Sequence, residues 1–491
     1  MITVEDNLDI ISMTFKDKKV LVVGLARSGT GAAKLLSRLG ARVTVSDSKP
    51  RGMLESQIKN LPSSVDVITG GNPQEIFAES DIIVISPGVP TQIPPLTYSR
   101  DKGIPIISEI ELAFQIMKSV TAIPFIGITG TNGKSTVTTL VDLMLQKSGH
   151  KTILGGNIGN ALTEEIQKNI IVDGQISIEA APDYIVAEIS SFQLESIKEF
   201  RPKISAILNI SPDHLDRYES MSDYINAKAG IFSNQNAEDY LVLNADDQLV
   251  RQLRSEKLEV RINRPKILLF STKEMVEGVY LKDGVIFANS PHFPLPTSHF
   301  SVPGSHFPLI DVHDIKIRGV HNIENAMAST LIAFMAGANP EDVTNVLKHF
   351  QGLEHRMEFV KEVNGVTFIN DSKGTNAGAV AKSLESFENL ILIMGGTDKG
   401  SDFCILKEQV KRKVKTLILI GEAADKIERS LGDAADTCKV EDLKHAVELS
   451  LSKASGGDTV LLSPGCASFD MFENFEERGR EFKRAVYEIA D

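Results

Sequence analysis

Short runs of Val, Ile and Leu recur along this chain, each ending in glycine or a small polar residue and many followed by a helical segment. No other feature restricts the possible folds as much. Such runs read as strands buried on both faces, and strand–helix alternation builds parallel sheets. The clearest case is the apolar run Ala122–Ile126, followed by Gly127-Ile-Thr-Gly-Thr-Asn-Gly-Lys-Ser-Thr136 and a helix-like segment from Val137 to Lys147. Strand, glycine-rich turn and helix together make a phosphate cradle. Glycines let backbone N–H groups approach phosphate oxygens, and the helix N-terminus adds partial positive charge. Lys134 can reach the β/γ-phosphates of a nucleotide, and the Ser135 hydroxyl can ligate Mg²⁺. The common G-x-x-x-x-G-K-[ST] pattern would put its first glycine at Ile128; here Gly127 stands one residue further back.

Three blocks of this kind follow one another. The first has strands at Lys18–Gly24, Arg42–Ser46 and Asp81–Ile85, with a helix between Thr30 and Leu39. It reads as Rossmann-like. Its turn Gly24-Leu-Ala-Arg-Ser-Gly29 is a dinucleotide fingerprint with Ala26 at the second glycine, and Asp47 lies near the place of a ribose-binding acid. A nucleotide or nucleotide-sugar site and a plain tight βα turn both fit. The second block carries the phosphate loop and strands at Tyr184–Glu188, Ile204–Asn209, Asp239–Asn244 and Ile267–Phe270. Residues 275–320 read as a surface β-insertion with a hairpin at Leu281–Ile286. His292, His299, His306 and His313 recur there every seven residues, but Pro294, Pro296, Pro303 and Pro308 exclude a heptad helix. The third block has strands at Val366–Asn370, Leu390–Met394, Thr416–Ile420 and Thr459–Ser463.

The expected fold is therefore α/β with three domains. They are a Rossmann-like domain at 1–118, a P-loop ATPase-like domain with a parallel sheet and small β-insertion at 119–351, and a second Rossmann-like domain at 352–491. A chain of 491 residues supports that count. The net charge of −13 argues against a general nucleic-acid role. No apolar stretch reaches the ~18 residues of a membrane span, and the acidic start Met1-Ile-Thr-Val-Glu-Asp lacks the order of a signal peptide. Cys404, Cys438 and Cys466 are scattered, as expected of reduced thiols in a cytoplasmic protein.

Several polar clusters sit where such sheets place their ligands. Asp213, His214 and Asp216 follow the strand ending at Asn209, and can serve a metal, a phosphate or a proton. Asn322 and Asn325 share a helix face. Asn370–Asn376, Met394–Gly400 and Leu462–Asp470 are three similar strand-end turns, which point to one composite site. Lys228, in Tyr224–Phe232, reads from its spacing as an ordinary snorkelling lysine.

Taken with the loop, the segments Glu188–Glu195, Asp213–Tyr218, Asn370–Asn376 and Ser463–Asp470 make the chain resemble, over essentially its whole length, the Mur ligases, ATP-dependent amide-forming enzymes. The likeness is to the D-glutamate-adding branch. It implies ligation of D-glutamate to UDP-N-acetylmuramoyl-L-alanine by a monomer, with ATP and two Mg²⁺ ions. By the resemblance, Gly130, Thr131, Asn132, Gly133, Lys134, Ser135 and Thr136 hold ATP phosphates, and Asn325, Arg356 and Asp371 hold adenosine. Ser135, Glu188, His214 and an N-carboxylated Lys228 hold metal. Lys134, Glu188, His214 and Lys228 form the catalytic set. Leu25, Asp47, Ser48 and Gly88 form the UDP pocket, and Asn157 contacts the muramoyl group. Thr375, Lys399, Ser468 and Phe475 receive D-glutamate. The insertions near 168–181 and 291–314 carry no implied role. A nicotinamide-dependent dehydrogenase and a non-catalytic nucleotide-sugar-binding regulator are the rival readings from other classes, and another Mur ligase or a folylpolyglutamate synthetase is the close one. Ala26 and the phosphate loop weigh against the first, and the complete Lys134, Glu188, His214 and Lys228 set against the second.

Overall fold

A computed structural model describes residues 15–120, 123–172, 175–176, 181–214, 217–258, 261–290, 293, 306–317, 319–398 and 400–489. The chain divides into two compact units, Met1–His349 and Phe350–Asp491, beside the expected 351/352 boundary.

The first unit carries two large sheets. One is fully parallel, in the order Asp66–Thr69, Arg42–Asp47, Lys19–Val23, Ile82–Ile85, Ile106–Ser108. Its centre is the Val-rich strand Lys19–Val23, whose last four residues are buried on both faces. In the other sheet Phe125–Thr129 lies between Ile204–Ile207 and Tyr184–Glu188, with Thr152–Gly156 at one edge. Tyr240–Asn244, Lys266–Ser271 and Gly278–Lys282 extend it in parallel on the other side. Val285–Asn289 and Phe307–Asp311 then add antiparallel strands, which form the expected β-insertion. There His306 stacks on Phe287, with ring centroids 4.9 Å apart, and meets the Tyr280 hydroxyl. His292 and His299 lie outside the described residues.

Buried carboxylates join the two sheets. The helix Glu109–Val120 follows the last strand of the first sheet. Glu111 accepts the backbone N–H groups of Lys198, Glu199 and Phe200, each at 2.9 Å. Bonds to a charged acceptor are worth about 1.5–3 kcal/mol each, so this is a firm joint. Phe114, Phe125 and Phe200 pack edge-to-face beside it, with centroids 5.3–5.9 Å apart. Glu109 takes the Thr163 N–H and hydroxyl on one oxygen; its other oxygen is buried with no partner, and burial pushes its pKa up.

The second unit is a six-stranded sheet in the order Glu358–Val363, Val366–Asn370, Thr459–Leu462, Leu390–Gly395, Val414–Ile420, Asp436–Lys439. Only the first pair is antiparallel. Val366–Asn370, Thr459–Leu462 and Leu390–Gly395 are neighbours, so the three turns singled out in the sequence leave one sheet edge side by side.

Candidate active site

Lys134 opens the helix Lys134–Lys147, which starts directly after the glycine-rich turn. Gly127 does not belong to that turn; it lies inside the strand Phe125–Thr129, where a Cβ would meet Ile189, Ile231 and Pro202. The turn depends on Gly133. Its φ of +80° is left-handed, and a Cβ there would fall 2.2 Å from Asn325 Oδ1. Asn325 therefore touches the loop directly, and its amide donates to Asn322 Oδ1 at 3.2 Å, as expected of two asparagines on one helix face. Asn132 N–H is held by Asn209 Oδ1, and Thr131 meets the Tyr224 hydroxyl. Gly130, Ser135 and Thr136 complete the turn and the first turn of the helix.

Lys134 Nζ donates to the carbonyls of Gly130 and Thr131, both at 2.8 Å. Lys228 Nζ reaches the same Gly130 carbonyl at 2.9 Å and lies 4.5 Å from the centre of the Tyr224 ring. The snorkelling reading of Lys228 is corrected here. Its side chain points inward from the helix Met221–Ala229 and is 2% exposed. Burial, with the Lys134 charge close by, lowers its pKa to about 6. An amine in that state is neutral near pH 7 and nucleophilic.

Glu188 ends its strand beside the loop strand. Its Oε1 accepts from Asn157 Nδ2 at 2.8 Å, while Oε2 is buried without a partner. His214 adopts φ +54° and lies against Phe192, ring centroids 4.8 Å apart. Its carbonyl accepts from the N–H groups of Arg217 and Tyr218. Asp216 falls outside the described residues. No group of three His, Cys, Asp or Glu side chains among the described residues is assembled to hold a metal.

At the carboxyl edge of the first sheet, Asp47 is occupied internally. One carboxylate oxygen accepts Leu25 N–H at 2.7 Å and the other Lys49 N–H at 2.9 Å, so this acid shapes the turn after the first strand. Ser48 and Gly88 are exposed on neighbouring turns, while Leu25 is buried. Sequence reasoning missed Arg217. Its guanidinium donates to the carbonyls of Pro87 and Val89, which flank Gly88, and to Glu195 at 2.9 Å, and it lies over the Phe192 ring. One side chain thus ties the Gly88 turn to the His214 turn.

In the second unit Asp371 is 4% exposed. Ser383 and Ser463 donate to its Oδ2 at 2.6 and 2.8 Å, and burial raises its pKa while the Arg356 charge opposes the shift. Thr375 is half-buried and Ser468 buried on adjacent turns, and Phe475 begins the helix Phe475–Tyr487. Lys399 lies outside the described residues, but Asp398 before it is held by Lys426 at 2.6 Å. Arg478 was also missed. Its only signal in the sequence is an arginine on an amphipathic helix, which reads as solvent-facing.

Three family descriptions match the chain in order. They are the Mur ligase MurD-like N-terminal domain over residues 18–108, the Mur ligase middle domain over 128–333, and the Mur ligase glutamate ligase domain over 355–466. The UDP-N-acetylmuramoylalanine–D-glutamate ligase of Geotalea daltonii is 42% identical over 481 residues, covering 97% of this chain and 99% of its own. The protein of that name from Thermoanaerobacter pseudethanolicus is also 42% identical, over 97% and 100% of the two chains. Among solved structures, the UDP-N-acetylmuramate–alanine ligase of Thermotoga maritima has the same fold at 18% identity, with a TM-score of 0.54 over 96% of this chain and 99% of its own. A pseudomurein peptide ligase of Methanothermus fervidus is similar, at 17% identity and a TM-score of 0.55, over 96% of this chain and all of its own. Matched from its first sheet to its last, the chain belongs to the Mur ligase family.

Proposed function

We propose that the protein joins D-glutamate to UDP-N-acetylmuramoyl-L-alanine at the expense of ATP, releasing ADP and phosphate. The observation that carries this reading is the 42% identity, along nearly the full chain, to ligases named for that reaction. The L-alanyl carboxylate oxygen attacks the γ-phosphorus as the bond to ADP breaks, leaving an acyl phosphate. The D-glutamate amine then attacks the acyl carbon, forming C–N through a tetrahedral intermediate; phosphate leaves with the C–O electron pair, and the nitrogen loses its proton. Lys134 exchanges its loop carbonyls for phosphate oxygens and holds the transferring group.

The residues present fit divalent cations. Glu188 offers a buried oxygen with no hydrogen-bond partner, Ser135 offers a hydroxyl in the first turn of the loop helix, His214 offers an imidazole, and Lys228 would offer a carbamate oxygen once its amine adds CO₂ and releases a proton. Mg²⁺ bound there would offset charge on the phosphoryl group. Leu25, Ser48 and Gly88 would seat the uridine nucleotide with Asp47 supporting their turns, and Asn157 would reach the muramoyl group. Asn325, Arg356 and Asp371 are assigned to adenosine, and Thr375, Lys399, Ser468 and Phe475 to D-glutamate. We assign UDP binding to 1–118, ATP to 119–351 and amino-acid binding to 352–491, in a cytoplasmic monomer.

The test is amino-acid-dependent ADP release. With UDP-N-acetylmuramoyl-L-alanine and ATP, D-glutamate should stimulate it, and L-alanine, L-lysine and diaminopimelate should not. Stimulation by one of the others instead would overturn the assignment.

A further inference from the structure

Arg478 is among the largest fully buried side chains of the second unit, with 1% of its surface exposed. A buried cation ordinarily sits against a carboxylate. Here its guanidinium hydrogen-bonds only oxygens that carry no full charge. Nε donates to Ser372 Oγ at 3.0 Å. One terminal nitrogen reaches the Ser372 and Cys466 carbonyls at 2.9 and 3.1 Å, and the other the Ala467 carbonyl at 3.3 Å. The Gly395 carbonyl lies at the limit, 3.5 Å away. Asp371 and Asp470 are close enough to be felt, but neither bonds it: Asp371 serves the Ser383 and Ser463 hydroxyls and the Met357 N–H, and Asp470 takes the Glu422 N–H on one oxygen while its other oxygen is buried without a partner.

These acceptors belong to the three strand-end turns. Ser372 belongs to the turn that reaches Thr375, and its hydroxyl donates onward to the Phe475 carbonyl at 2.8 Å. Cys466 and Ala467 precede Ser468. Gly395 begins the turn toward Lys399, and the next residue, Gly396, has φ +125° with no room for a Cβ, which would fall 2.1 Å from the Ala467 carbonyl and 3.1 Å from the guanidinium. Direct bonds join the turns as well: Gly465 N–H to the Gly374 carbonyl at 2.7 Å, and Thr397 to Ala467 in both directions.

We propose that Arg478 is the positioning residue of the amino-acid site, fixing the turns that carry Thr375 and Ser468 and the helix start at Phe475, and leaving beneath them a positive charge that selects an acidic amino acid. This rests on the reading that D-glutamate seats on those turns. Arg478 does not touch the substrate, because its donors are spent on the protein. It acts through geometry and through a field that a low-dielectric floor screens weakly.

Arg478→Met and Arg478→Lys in the full chain separate this role from mere stability. In steady-state assays Arg478→Met should raise KM for D-glutamate about 10- to 100-fold, the scale of a small misplacement at a reacting group. KM for ATP and for UDP-N-acetylmuramoyl-L-alanine should stay within about twofold. Its preference for D-glutamate over D-glutamine, in kcat/KM, should shrink. Arg478→Lys keeps the charge with fewer donors, so it should raise KM for D-glutamate yet retain the preference. If Arg478→Met does not fold, Arg478→Lys and Ser372→Ala, which cuts one link of the lock, carry the test. An unchanged KM for D-glutamate in the folded variants, or equal rises for all three substrates, would overturn the proposal. A wild type that ignores D-glutamate would instead overturn the reading of the reaction on which it rests.

Discussion

Lys228 and Arg478 are both cations that the fold takes out of water without a carboxylate hydrogen-bonded to them, yet they end in opposite states. Lys228 has one carbonyl, shared with Lys134, and an aromatic ring. The second positive charge nearby makes ionisation worse, and its pKa falls to about 6. Arg478 has a ring of carbonyls and a serine hydroxyl, and its pKa falls only to about 10. Burial lowers both, and the charges around them differ: the Lys134 cation adds to the fall at Lys228, whereas Cys466, Asp470 and Asp371 oppose it at Arg478, which also starts from a higher ordinary value. A buried lysine beside a second cation gives up its proton readily; a buried arginine beside acids stays a fixed cation.

The largest effect expected from breaking this contrast is on turnover. Lys228→Met should lower the rate of ADP release about 100- to 1000-fold, and ¹³C-labelled bicarbonate should give a carbamate NMR signal in the wild type that the variant lacks. Stability should answer in the reverse sense. Arg478→Met strands several buried carbonyls and should cost about 3–5 kcal/mol in urea unfolding, whereas Lys228→Met leaves Gly130 bonded to Lys134 and removes an amine whose loss of a proton on folding opposes stability near pH 7, so it should not destabilise the protein and should stabilise it in carbonate-free buffer.

The pH dependence of unfolding sharpens the comparison further. The folded pKa of Lys228 lies below its unfolded value of 10.5, so between about 6 and that value the unfolded chain binds more protons. In carbonate-free buffer this group therefore makes stability rise as pH rises from about 6, and Lys228→Met should flatten that rise. Arg478 should add no slope in the neutral range.

The smallest effect should come from Glu109, the anionic counterpart. Its folded pKa is raised above the ordinary value of 4.5, so the folded state keeps a proton that the unfolded chain releases. Stability from this group is lost as pH climbs from the ordinary carboxylate range through the folded pKa. Glu109→Gln, which keeps an acceptor for Thr163, should remove that loss in thermal melts compared across pH.

Much of this architecture can be read in the sequence because parallel strands are buried on both faces and announce themselves as apolar runs. Tyr184–Glu188 and Val366–Asn370 are bounded as their residues predict. The strands that go unannounced are edge strands or short ones. Asp66–Thr69 and Asp436–Lys439 have no fully buried residue, and Ile106–Ser108 is three residues long. The phosphate loop and the three strand-end turns were visible because glycine and small polar residues mark them. Arg217 and Arg478 were not, because most of their partners are main-chain carbonyls and the side chains they meet, Glu195 and Ser372, lie far away in sequence, so nothing nearby points to them. Nor could spacing show that Asp47 spends both oxygens on nearby N–H groups, since the acceptor role of a strand-end acid depends on how the chain turns afterwards.

Arg217 has a consequence for the turn at Gly88. In a planar trans peptide the carbonyl and the following N–H point in opposite directions. With the Pro87 carbonyl drawn to the guanidinium, the Gly88 N–H is set facing away from it. The Val89 carbonyl is drawn there too, but the residue after it is Pro90, whose nitrogen carries no hydrogen. Val89 N–H itself is spent on the Ser86 carbonyl at 3.0 Å. The donor that this turn presents is therefore the Gly88 N–H, and its direction is set from outside. A side chain in the turn beyond the strand Ile204–Ile207 decides the polarity of a loop on the first sheet, and a substitution at Arg217 would free a peptide plane 130 residues away in sequence to rotate.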